Sequence, residues 1–163
     1  MIAAVLLIAS GSAFAGGQAD TIGLGAEADI AGVAGVSVAY DAGKFDVDGL
    51  LGYRRVDPGG GAPVDSTYDF GARFFYHVHA TALSDFGIGG GLGLASVPNM
   101  AGGGRQTDLY LEPAFQIRLF IASNVALSFS AGVSIAVADA NTSVITGQGT
   151  VLDGGAAIHY FFF

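Results

Sequence analysis

From Thr21 onward, large apolar side chains recur at every second position, and this period of two constrains the fold more than any other feature of the chain. Ile22, Leu24, Ala26, Ala28 and Ile30 fall on one face of an extended segment, and Thr21, Gly23, Gly25, Glu27 and Asp29 on the other. A helix would carry Glu27 into the apolar set, so the strand reading prevails. The pattern recurs seven more times. Phe45, Val47, Leu51 and Tyr53 oppose Asp46, Asp48 and Arg54, and Tyr68, Phe70, Ala72, Phe74 and Tyr76 oppose Asp69, Gly71, Arg73 and His77. Phe86, Ile88, Leu92 and Leu94 oppose Asp85 and four glycines, and Leu109, Leu111, Phe115, Ile117 and Leu119 oppose Tyr110, Glu112, Gln116 and Arg118. Val36, Val38 and Tyr40, then Val125, Leu127 and Phe129, give two further strands whose opposite faces are small or polar. The eighth runs to the C-terminus, with Leu152, Ala156, Ile158, Tyr160 and Phe162 set against Asp153, Gly155 and His159; four aromatic residues in a row blur its phase.

The connections alternate as well. Short turns lie at 41–44, near 79–84 and at 121–124, and longer polar links at 57–66, 96–106 and 138–147; the link at 31–35 is short for its place in the series. Short turns at one end and long links at the other are the asymmetry of a transmembrane barrel. A water-soluble barrel would alternate too, but its bulky face points inward, where eight strands leave limited room. Here the bulky faces carry almost no charge, Arg55 at a strand end being the exception, and the opposite faces are Gly, Ser and Ala with scattered charges. That suits hydrocarbon outside and a narrow lumen within. Tyr40, Phe45, Tyr76, Phe86, Phe120 and Tyr160 near the short turns, with Tyr53, Tyr68 and Phe70 near the long links, suggest two interfacial girdles. The expected fold is all-β: a closed eight-stranded antiparallel up-and-down transmembrane β-barrel.

Residues 1–15, MIAAVLLIASGSAFA, have the apolar core and the Ala13-Phe14-Ala15 spacing of a secretory signal peptide, although Met1's amine is their only positive charge. The expected organisation is thus a signal peptide over 1–15 and a barrel domain over 16–163. A formal charge of −8 argues against a nucleic-acid partner, and the absence of cysteine excludes disulfides, thiolate zinc sites and cysteine nucleophiles.

An alternating last strand ending in Tyr160-Phe161-Phe162-Phe163, after a signal peptide, resembles bacterial outer-membrane β-barrel proteins. By size the chain is similar to the small eight-stranded group that includes the OmpA membrane domain and OmpX. The resemblance implies a Gram-negative outer membrane, outer-membrane lipid around the barrel, periplasmic termini and long loops outside. It also implies that the terminal aromatic residues act as a signal to the barrel-assembly machinery.

The inward set holds the acids Glu27, Asp29, Asp46, Asp48, Asp69, Asp85, Glu112 and Asp153, against Arg54, Arg73, Arg118, His77 and His159. Buried charges must pair or stay wet. Two readings follow: a salt-bridge and water network that fills the barrel, or a narrow cation-preferring pore. His77 and His79 share a strand face, with Asp85 about opposite His77; without a third ligand this spacing is weak evidence for metal. A lipid-modifying enzyme needs a base near its nucleophile, and all three histidines lie at the end opposite the long links. Gly87–Gly93 lacks the following helix of a phosphate loop and reads as lumenal space and strand curvature. No residue pattern points to a cofactor, and the loop sequences name no ligand. The expected role is non-catalytic, structural or surface-interactive.

Overall fold

The computed structural model describes residues 19–29, 34–57, 59–60, 65–81, 83–98, 104–139 and 151–162. The proposed signal peptide, Phe163 and most of the long links lie outside them. Eight strands follow in order: β1 (Thr21–Asp29), β2 (Ala34–Asp41), β3 (Phe45–Val56), β4 (Asp65–Ala80), β5 (Ser84–Pro98), β6 (Arg105–Ala122), β7 (Val125–Asp139) and β8 (Val151–Phe162). Each pairs antiparallel with its sequence neighbour, and β1 pairs with β8 from Ile22↔Phe162 to Asp29↔Gly155, which closes the barrel. Closure leaves no unpaired sheet edge.

The alternation in sequence becomes outside and inside. Leu24, Val38, Leu51, Phe70, Phe74, Ile88, Leu92, Phe115, Phe129 and Ile158 are all exposed on the outer surface. Their inward neighbours are small, polar or charged, with Glu27, Ser37, Asp46, Asp48, Glu112, Gln116 and Arg118 all buried. The usual arrangement of a water-soluble protein is therefore inverted.

The phase of β8 follows from its pairing with both neighbours: Ile158, Tyr160 and Phe162 point out, His159 and Phe161 in. Aromatic runs elsewhere also split between the two faces. Phe120, expected in a girdle, is 8% exposed and sits inside against Ala39, Ala126 and Phe161. The β6–β7 register shifts between Phe120 and Ala122, at the turn that reverses the chain.

Two glycines are dictated by backbone geometry. Gly43 adopts φ 80° in the β2–β3 turn, where its N–H donates to the Asp41 carboxylate at 2.7 Å. Gly25 lies so close to β8 that a Cβ would stand 2.0 Å from the carbonyl oxygen of Ile158.

Candidate functional site

The inward positions of the eight strands build a lumen crossed by ion pairs. Near the short turns, Asp41 on β2 stands directly opposite Asp46 on β3, a like-charge pair that is unfavourable unless a cation answers it. Arg118 supplies that cation. Its Nη2 lies 2.8 Å from Asp41 and 2.8 Å from Asp85, its Nη1 is 3.8 Å from Asp46, and its Nε donates to Asp85 at 3.2 Å. Asp85 is its cross-strand neighbour on β5, whereas β2 stands four strands away around a ring of eight. Arg118 is therefore a strut across the full width of the lumen. His77 on β4 joins the group, with Nε2 2.5 Å from Asp46 and Nδ1 3.0 Å from the carbonyl oxygen of Gly43.

Toward the long links a second strut crosses the lumen. Arg73 on β4 pairs with Glu27 on β1 and reaches Glu112 on β6 at 3.5 Å. Gly91 and Gly155 leave it room: a Cβ at either would meet the Arg73 side chain within 3.4 Å. Between the struts, Gln116 donates to Asp48 at 3.5 Å, and His159 shares a 2.8 Å hydrogen bond with Ser37.

Aromatic rings fill what the polar groups leave. Phe75 is fully buried, and Phe120 and Phe161 lie beneath the Arg118 guanidinium at 5.0 and 5.9 Å from its carbon, within cation–π range. Gly23 accommodates Phe161, since a Cβ there would stand 3.0 Å from its ring. The short-turn half of the lumen is thus a packed plug rather than a water-lined bore.

The structure gathers the candidates into these groups with some differences from the sequence reading. His77 pairs with Asp46 rather than with Asp85, because the β4–β5 register slips between His77 and His79 and sets Asp85 opposite Ala80. The same slip sets exposed His79 opposite Phe86, so it does not share the environment of buried His77. Among the described residues no three metal-ligating side chains converge. Arg54 is exposed at the long-link rim, near enough to Asp69 for their charges to interact, and stands apart from both struts. The side chains of Asp29 and Asp153 lie outside the described residues. Asp41, read from sequence as a turn residue, is a member of the central cluster; its position two beyond Ala39 on the inward face of β2 was the available signal. Phe75, Phe120 and Phe161 carried the same signal, since Phe75 stands between inward Arg73 and His77, Phe120 two beyond Arg118 and Phe161 two beyond His159.

Comparison with solved structures places this architecture beside two others. The N-terminal β-barrel domain of Pseudomonas aeruginosa OprF superposes with a TM-score of 0.58 at 13% identity, covering 88% of this chain and 98% of that one. Neisserial surface protein A superposes with a TM-score of 0.51 at 16% identity, covering 87% and 94%. At these identities the likeness is one of fold. No protein-family model and no curated protein sequence matches the chain.

Proposed function

We propose that this chain is a non-catalytic integral protein of a bacterial outer membrane, delivered by its N-terminal signal segment. In this reading the barrel is a stable scaffold that displays the long links outside the cell. The observation that carries the proposal is the inversion of the barrel: a continuous belt of exposed Leu, Ile, Val and Phe surrounds a charged interior. In water such a belt far exceeds the few hundred Å² of contiguous apolar surface that soluble monomers tolerate. In a bilayer it is the required exterior, and closure satisfies every strand edge.

The filled lumen supports a scaffold over a conduit. Arg118 bridges opposite walls, and Phe75, Phe120 and Phe161 occupy the space around it. A cation entering from the long-link end would meet the Arg73 guanidinium and then this plug. The pore reading therefore requires both struts and the rings to rearrange.

Heat-modifiable mobility on cold gels, combined with proteolysis of intact cells, tests membrane folding and loop orientation together. The expected result is a detergent-resistant fast-migrating form, with cleavage confined to the long links. A compact monomer soluble without detergent would overturn the proposal. Ion-selective unitary steps from pure wild-type protein in a planar bilayer would replace the scaffold reading with the pore.

A further inference from the structure

Gly43, at φ 80° in the β2–β3 turn, is held at both polar atoms of its backbone. Its N–H donates to the Asp41 carboxylate at 2.7 Å, and its carbonyl oxygen lies 3.0 Å from Nδ1 of His77 on β4. The other ring nitrogen of His77, Nε2, is 2.5 Å from Oδ1 of Asp46. A carbonyl oxygen only accepts, so Nδ1 must carry a hydrogen. An ionised carboxylate also only accepts, so a second hydrogen lies between Nε2 and Asp46. A neutral imidazole brings one hydrogen and a carboxylate none. The pair therefore holds one proton more than a neutral histidine and an ionised aspartate would, and imidazole, the stronger base, keeps it as an imidazolium.

The surrounding charges favour that proton. Asp41, Asp46 and Asp85 are each no more than 5% exposed, and a single guanidinium, that of Arg118, bridges all three. An imidazolium at His77 supplies a second cation at ion-pair distance from Asp46. Of the elements packed around the ring, β2 brings the charge of Asp41, β3 that of Asp46 and β6 the like charge of Arg118, while β5 sets Gly87 opposite it. His77 also stands level with the turn, since its backbone N–H donates to the carbonyl oxygen of Lys44 at 2.9 Å. Exposed Tyr76, the preceding residue, belongs to the short-turn girdle, so this is the height of the aqueous boundary rather than mid-membrane.

We propose that His77 and Asp46 form a proton-operated clasp at the short-turn end of the lumen: their shared proton holds the β2–β3 turn against β4, and its loss loosens the turn and the Arg118 plug beside it. Without the proton, two acceptors face each other at Nε2 and Oδ1, and the ring and carboxylate must part. Gly43 is bonded to the same ring and Asp46 pairs with the same Arg118, so both feel the separation. The sign follows from proton counting. Over the range in which a free histidine titrates, the folded barrel binds more protons than the unfolded chain, so the clasp's stability is whole below that range and is lost as pH rises. The clasp is internal to the barrel, and its test does not depend on what the long links meet.

Nitrogen NMR of the full chain folded in detergent, with labelled histidine and glycine, tests it. At about pH 6 both ring nitrogens of His77 should carry hydrogen, and between about pH 6 and 9 the Gly43 amide should shift in step with the His77 ring. His77→Gln, whose amide keeps a donor but does not titrate, should leave Gly43 unchanged over the same range. In urea titrations the folding equilibrium of wild type should fall about tenfold more across this range than that of His77→Gln, the equivalent of one pKa unit. Asp48, His79 and His159 remain in both proteins, so the difference isolates His77. A His77 ring with a single hydrogen at about pH 6, a Gly43 amide blind to its titration, or equal pH dependence in the two proteins would overturn the clasp. If His77→Gln fails to fold, the wild-type spectra decide by the first two of these outcomes.

Discussion

Arg118→Met removes the cation that links three carboxylates and keeps an unbranched side chain in its place. Asp41, Asp46 and Asp85 are each no more than 5% exposed, so water cannot readily take over from the lost guanidinium. Two of the three keep another contact: Asp41 accepts the Gly43 N–H at 2.7 Å, and Asp46 keeps His77 at 2.5 Å. Asp85 loses both hydrogen bonds that Arg118 gives it. The cost is therefore closer to that of one broken buried pair, about 3–5 kcal/mol, than to three times that figure. Urea titration of the barrel in lipid vesicles, with the folded fraction read from cold-gel mobility, measures it. For a denaturant slope of about 2 kcal/mol per molar, the midpoint should fall by about 2 M. Adding Asp41→Asn and Asp85→Asn should recover at least half of that loss, because neutral amides need no counter-ion. A midpoint within about 0.5 M of wild type for Arg118→Met, or no recovery in the triple variant, would refute the strut.

Four further outcomes follow from the geometry. Phe161→Ala should destabilise the barrel by about 3–5 kcal/mol through the cavity it leaves, and Phe120→Ala with Phe161→Ala should raise conductance in planar bilayers above that of wild type. Leu92→Arg, at an outward position 57% exposed, should lower stability in vesicles by about 2–4 kcal/mol; an outward face bathed in water would register almost no change in the same titration. Gly25→Val should prevent the β1–β8 seam from closing, because the new Cβ would stand 2.0 Å from the Ile158 carbonyl oxygen, and the heat-modifiable band should be lost.

The sequence by itself determined the number of strands, their antiparallel order and which face of each meets the surroundings. In β1 and β6 one face is bulky and uncharged and the other small or charged, so a single register satisfies both environments. It also placed Glu27, Asp46, Asp85, Arg73 and Arg118 inside, since parity alone assigns them. Side-chain character alone is silent where both neighbours are large, as at Phe74-Phe75-Tyr76, Leu119-Phe120-Ile121 and Tyr160-Phe161-Phe162, although the parity set by Arg73, Arg118 and His159 runs on to the middle ring of each triplet. What the tertiary structure added is the room those inward rings occupy, as where Gly23 leaves space for Phe161. Which acid each cation meets was equally out of reach. Arg118 joins β6 to β2, and Arg73 joins β4 to β1 and β6, between positions distant in sequence. Only closure of the ring, with its stagger of strand against strand and its slip between His77 and His79, brings those charges to the same height.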